Sequence, residues 1–586
     1  MTIYYPNVAA YNVVSESQNV ADAHFALDSS GNIAGLVGLD GNVVNMGIAK
    51  KPRVLKELRD LANCTISGTN CTVVSSIDQN SPYGGPALKL VLTPTLAGGR
   101  CEVTLTNLNI PQFDDHVAAS VYVEDVTRLS SALIFHSDSS GFTNYTSWQT
   151  VMFSGGNVVG GHRVFWGGPM HTGNIVHGGT GFIHGQTTLK TVRLRIVGEY
   201  IASVPFTVWV KDIFIAARQR PIVCFTFDDA SSTWMDRALP YLNANNIKAT
   251  FGIYSSGIDG GAAYVTSADV QTLIAAGHQI ASHNVNNYRL QTLGSHGNGE
   301  QNGSGTSVDS VGYVSEYHTA RQVLEGLGAA PDDFCYHPWV QGGNDTQAVE
   351  LLRSAGVSVA RSVTLYAPQI YGFRMGNNAM SLFSWPLSNE KTLAQDKAAV
   401  DQVVKYGGLL VFMGHELADT ASDSLTIAEE DFAELVEYVV GQNCDVLTMK
   451  QLALRLDSIG ALEESSTNPA PAVRMISRVS GANMNSTADQ AITLPAGNWT
   501  IRQVFAVKGS ISMTTAAGGV YTAASKGGTA IVGAAQGYTA LVGATTDVVA
   551  CDIAATPTVS GTIYFSLTTP QGEPATADIF VFAAPA

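Results

Sequence analysis

Ile222-Val223-Cys224-Phe225-Thr226-Phe227-Asp228-Asp229 decides how this chain is read. The apolar run forms a buried strand, and two adjacent carboxylates close it. Parallel α/β sheets carry their chemistry at the C-terminal ends of strands. Two ionised carboxylates side by side repel each other, and a cation with a nearby imidazole relieves the repulsion. Ser282-His283-Asn284-Val285-Asn286-Asn287 and the late His415 supply imidazoles downstream. The pattern points to a metal-dependent hydrolase.

Outward from this stretch, strand-like and helix-like segments alternate to about residue 455. Lys248 to Tyr254, Gln279 to Ser282, Phe334 to Tyr336, Ser358 to Ala360, Leu409 to Met413 and Asp445 to Leu447 read as strands. Helices are expected from Ser267 to Ala276 (closed by Gly277), Val314 to Leu324, Thr346 to Ala355, Ala394 to Tyr406 and Ile427 to Val440. Mainly parallel strands in such steps describe a deformed (β/α) barrel over residues 217–460. Residues 51–216 alternate with period two between Gly, Asn and Pro, as in Leu88-Lys89-Leu90-Val91-Leu92, which predicts an antiparallel β-sandwich, with carbohydrate binding as its expected role. Residues 1–50 read as an attachment arm, 461–473 as a linker and 474–586 as a small β module.

Composition narrows the partners. Charged residues make up 14% of the 586, against a usual quarter, and the formal charge is −16. That balance excludes nucleic acid and anionic membranes as expected partners. No apolar run is long enough to cross a bilayer, and Met1-Thr2-Ile3-Tyr4-Tyr5-Pro6 has no secretory pattern, so synthesis in a cytoplasm is expected. The seven cysteines fit no metal spacing; a disulfide among Cys64, Cys71 and Cys101 is weighed against reduced thiols, which are expected. The histidines at 162, 171, 177 and 184 match no ligand pattern, and Trp166 and Tyr145 read as core aromatics.

Thr226-Phe227-Asp228-Asp229, Gly277-His278-Gln279-Ile280-Ala281-Ser282-His283 and Leu409 to His415, in this order, resemble the polysaccharide deacetylase family, the NodB-homology domain of family 4 carbohydrate esterases. The resemblance covers roughly residues 220–455. It implies Asp228 as catalytic base, His415 as catalytic acid, and Asp229 with His283 as ligands of a divalent metal, with zinc expected. Three places depart from the family pattern. Asn287 stands where a second metal-binding His is usual, with His296 or His318 as alternative donors. Tyr336-His337-Pro338-Trp339 replaces a motif that supplies an Arg to steady the base. Phe383-Ser384-Trp385-Pro386 lacks the usual Asp. The resemblance gives Trp339 the oxyanion-binding backbone N–H, and Tyr336, His337 and Trp385 substrate-facing roles.

Taken singly, each of these residues has a plainer reading, the acid pair as a helix-capping turn and each His as a core side chain. Their shared order favours a metal site. Leu494 to Trp499 and Gly518 to Ala530 are similar to small β modules of phage and prophage tail proteins. The expected function is metal-dependent deacetylation of an acetylated bacterial polysaccharide, capsule or O-antigen, by a homotrimeric tail spike in the virion, bound to other tail proteins. The competing expectation is a catalytically inactive glycan-binding tail protein on the same fold.

Overall fold

Strand Ile222–Phe227 (β1) is buried at every position, and its two faces do different work. Phe225 and Phe227 point outward, their rings stacking at 5.2 Å on Phe412 and Phe251 and meeting Phe432 edge-on. Thr226 belongs to the opposite face, and its hydroxyl donates to the Phe412 carbonyl at 2.7 Å. The structure is a computed structural model. It describes residues 24–27, 33–37 and 43–44 and, from 52 to 585, all but 63, 124–127, 153–160, 172–173, 200–203, 286–297, 302–303, 308–309, 339–351, 354–355, 460, 463–473, 496, 508 and 544–547.

Seven further strands complete the sheet: β2 (Thr250–Ile253), β3 (Gln279–Ser282), β4 (Tyr336–His337), β5 (Val359–Tyr366), β6 (Leu382–Pro386), β7 (Leu409–Gly414) and β8 (Asp445–Val446). They run in the order β3-β2-β1-β7-β6-β5-β4, with β8 beside the start of β1, and every pairing is parallel. The end strands β3 and β4 touch, so the row is nearly a closed barrel. Helices α1 (Ser267–Ala275), α2 (Ser310–Gly326), α3 (Leu393–Tyr406), α4 (Glu429–Val440) and α5 (Met449–Ser458) accompany it. Three start on reciprocal caps, Thr266 with Asp269, Thr392 with Gln395 and Thr448 with Gln451, each worth about 1 kcal/mol. Helix α3 ends on Gly407 at φ 72°, where a Cβ would lie 2.2 Å from the Gln219 carbonyl oxygen, so only glycine fits.

The expected helix from Val314 is longer at both ends, and the one from Ile427 begins two residues later because Thr426–Ala428 is extended. The expected helix Thr346 to Ala355 lies almost entirely outside the described residues. A polar floor closes the barrel: the Thr250 hydroxyl donates to Gln279 Oε1 (2.9 Å), and the first amides of α5, Met449 and Lys450, donate to Thr250 Oγ1 (2.9 Å) and Gln279 Oε1 (2.7 Å).

Met1–Lys51 and Pro52–Ala586 are separate compact units. In the first, His24–Leu27, Ile33–Val37 and Val43–Val44 make an antiparallel sheet. The regions flanking the barrel are mostly sheet. Ahead of it, two antiparallel sheets enclose a core with Leu88, Leu90, Leu92, Val121, Ile134 and Leu194. Behind it, a five-stranded and a four-stranded sheet enclose Ile501, Val520, Phe565 and Val581. Both flanks join the barrel's own core, through Ala118, Val164, Trp166 and Phe214 on one side and Phe505, Phe580 and Phe582 on the other. Val164 also exchanges two backbone hydrogen bonds with the Asn378 amide (2.9 and 3.0 Å). All seven cysteines are free, Cys64, Cys71 and Cys101 included.

The glycine-rich histidines are packing elements. His171 lies edge-on to Trp166 at 4.9 Å, His184 packs on Trp148 and Phe182, and His177 Nδ1 bonds the Thr146 hydroxyl at 2.8 Å. Burial holds His116 at about 3, holds His171 and His184 at about 4, and keeps His136 well below its ordinary value. Below the unfolded value near 6.5 the unfolded chain takes up protons that the folded chain refuses, so stability is complete above that pH and is lost as pH falls toward 4. Thermal unfolding from about pH 7.5 to about pH 5 should therefore show a falling Tm, with about 1–2 kcal/mol of stability lost for each fully buried histidine. His136→Phe should flatten this slope.

Candidate active site

Four side chains singled out in the sequence converge at the C-terminal mouth of the barrel. The Asp228 amide donates to the Gly414 carbonyl (2.9 Å), tying the end of β1 to that of β7 and bringing His415 beside the acid pair. Asp229 and Ala230 both hold left-handed backbone, φ 78° and 56°. Such conformations cost about 1–3 kcal/mol each in residues other than glycine and persist where the surroundings impose them. Here the surroundings are the Val265 amide donating to the Ala230 carbonyl (2.9 Å) and the Leu417 amide donating to Thr233 Oγ1 (3.1 Å). The turn separates the two acids: Asp228 is buried, whereas the Asp229 side chain keeps 30% exposure at the rim.

Asp229 stands between two imidazoles. His283 Nε2 lies 3.9 Å from its Oδ1, and His415 Nε2 lies 3.9 Å from its Oδ2. His283 Nε2 is also 4.0 Å from Asp228 Oδ2. The His283 amide donates to the Ile253 carbonyl (3.0 Å), and Asn284, which tolerates left-handed backbone, turns the chain at φ 68°. The His415 carbonyl accepts the Trp234 indole N–H at 2.6 Å, anchoring the His to the aromatic layer outside the barrel. Beside Asp229, burial and then the Tyr264 contact push the Tyr254 phenol well above its ordinary value, so it stays neutral.

A carboxylate and an imidazole are the donor types that zinc accepts, and their 3.9 Å separation is a little wider than the ~3.3 Å between two donors on one tetrahedral ion. Asp228 Oδ1 is buried with no hydrogen-bond partner among the described residues, as expected of an atom that meets a group the protein does not supply. These residues fit a divalent cation as far as two donors. Among the described residues no three His, Cys, Asp or Glu converge as a ligand set. Asn287, His296 and Trp339 lie outside the described residues, as does the side chain of His318.

The remaining expected residues occupy other places. Tyr336 and His337 are fully buried, the His337 ring 5.6 Å from Tyr317. Trp385 donates its indole N–H to Asp396 (2.7 Å), with Lys391 over its face at 5.1 Å. Burial, opposed by that hydrogen bond, raises Asp396 to about 6.

One residue escaped the sequence reading. Arg361 on β5 is fully buried and pairs through Nη2 with Asp228 Oδ2, while its Nε donates to the Tyr336 hydroxyl at 3.0 Å. Burial alone would lower the guanidinium's pKa, but Asp228 and Tyr336 outweigh it and hold the cation charged. The available signal was a lone Arg within Val359-Ala360-Arg361-Ser362-Val363, since a cation in a buried strand needs a counter-charge. Arg361→Met leaves Asp228 buried and uncompensated and should cost about 3–5 kcal/mol in urea unfolding. Asp228→Asn added to it should recover part of that loss.

Residues 216–360 match the polysaccharide deacetylase family model. No curated protein matches the chain. Among solved structures, the peptidoglycan deacetylase PdaC from Bacillus subtilis is 14% identical, covering 41% of this chain and 93% of its own, with a TM-score of 0.26. A mutant family 4 pseudoenzyme with restored enzymatic activity is 13% identical, covering 40% and 68%, with a TM-score of 0.26. The family 11 carbohydrate-binding module of a Clostridium thermocellum cellulase is 8% identical, covering 28% and 95%, with a TM-score of 0.21. The stretch that is similar to the polysaccharide deacetylase family, residues 216–360, holds the strand ends that carry Asp228, Asp229 and His283.

Proposed function

We propose that this protein removes acetyl groups from a bacterial surface polysaccharide, capsule or O-antigen, in a metal-dependent reaction. The observation that carries the reading is the grouping of Asp228, Asp229, His283 and His415 at one barrel mouth, with Asp229 within 3.9 Å of both imidazoles. Asp229 and His283, with Asn287 as third donor, would hold the metal. When bound, a zinc-like ion polarises the acetyl carbonyl and acidifies a water.

The chain's own residues divide the proton work. Asp228 accepts the proton of the attacking water, and His415 protonates the departing sugar oxygen or nitrogen. A backbone N–H at Trp339 would stabilise the oxyanion. Trp385, half-exposed with its N–H already committed to Asp396, offers a ring edge for a sugar. The weakly charged, sheet-rich flanks suit glycan contact. The tail-module resemblance of Leu494 to Trp499 and Gly518 to Ala530 supports a homotrimeric phage tail spike carried in the virion.

Protein purified without chelator or His tag should contain about one zinc or similar ion per chain by elemental mass spectrometry. It should also release acetate from acetylated capsule or O-antigen. Asp229→Asn should lose the metal, and Asp228→Asn should keep it while losing ~10²–10⁴-fold in rate. Glycan binding with no acetate release in the metal-loaded protein would replace this reading with the binding-only tail protein.

A further inference from the structure

We propose that Arg361 is the positioning residue for Asp228: it holds Oδ2 so that Oδ1 is the oxygen that takes the proton. The proposal rests on the deacetylase reading above. The segment Tyr336-His337-Pro338 has no arginine, and the cation comes instead from the neighbouring strand, β5, which pairs with β4 through Tyr336 and Val359. Tyr336 then acts as a brace, its hydroxyl accepting the Arg361 Nε–H at 3.0 Å. Two points of attachment, Nε on Tyr336 and Nη2 on Asp228, fix the plane of the guanidinium, which a point-charge ammonium would not do.

The carboxylate is held from the other side as well. Its backbone is tied to Gly414 and followed by two left-handed residues, so rotation of the side chain is the freedom that Arg361 removes. Oδ1 is left with no partner among the described residues. Gly252 keeps that oxygen clear: a Cβ there would stand 3.1 Å from Oδ1 and 3.1 Å from Pro338. Arg361 and Tyr336, both fully buried, act through Asp228 rather than on a substrate.

The test uses the zinc-loaded full chain with 4-nitrophenyl acetate and penta-N-acetylchitopentaose as probes. Arg361→Ala should lower kcat ~100-fold with KM within ~3-fold and zinc content unchanged, and added guanidinium should restore ~10-fold in this variant but not in wild type. Arg361→Lys, which keeps the charge without the fork, should fall between the two. An Arg361→Ala protein that is folded yet keeps wild-type kcat, or that guanidinium does not rescue, overturns the proposal. Should that variant not fold, Arg361→Lys and Tyr336→Phe decide: lowered kcat at constant zinc supports positioning, and unchanged kcat in both overturns it. A wild type inactive on both probes and releasing no acetate from acetylated capsule or O-antigen overturns the deacetylase reading itself, whereas an active wild type beside an undiminished Arg361→Ala overturns only the role of Arg361.

Discussion

Arg361 carries a full positive charge at a point with no solvent exposure, and the barrel interior is arranged around it. Taking such an ion out of water costs several kcal/mol, and only a close, well-oriented anion offsets that. Asp228 is the anion, so the end of β1, the middle of β5 and the phenol of Tyr336 are held in one relation. The neighbouring contacts follow from it. With Asp228 committed inward, the adjacent acid must turn away to the rim, and the left-handed backbone at Asp229 and Ala230 makes that turn. Burial of one carboxylate and exposure of the next give two identical side chains different chemistry.

The parts of this arrangement that were legible in the sequence are those tied to strand ends. Asp228, Asp229, His283 and His415 each follow a short apolar run, and parallel strands bring the ends of such runs together wherever they lie in the chain. The alternation within one flanking strand was legible too: Leu88, Leu90 and Leu92 have no exposure while Lys89 and Val91 between them keep some. Arg361 was not legible as a partner of Asp228 because 133 residues separate them, and burial is the only property that makes the pairing obligatory. Tyr336 was read as facing substrate, and its hydroxyl instead serves a buried cation. Periodicity reports which face a residue takes but not what it meets there.

Histidine shows the same distinction. Six of the residues that invite a chemical reading, His116, His136, His171, His177, His184 and Trp166, lie in the sandwich among aromatic rings or beside a single hydroxyl. At the barrel mouth the imidazoles face carboxylates instead. His283 and His415 each have an Asp229 oxygen at 3.9 Å, a matter of folding geometry that residue type leaves open.

The shared core has a consequence for how such a chain evolves. Ala118, Val164, Trp166 and Phe214 from one flank, and Phe505, Phe580 and Phe582 from the other, are built into the barrel's apolar interior. A gene fragment encoding the barrel alone would lay those contact surfaces bare, and the aromatic ones among them are large and adhesive. The three parts from Pro52 onward are therefore not beads that recombination can exchange freely. A new specificity is easier to acquire by changing loops at the barrel mouth than by swapping a neighbour, and the flanks are inherited as the barrel's walls.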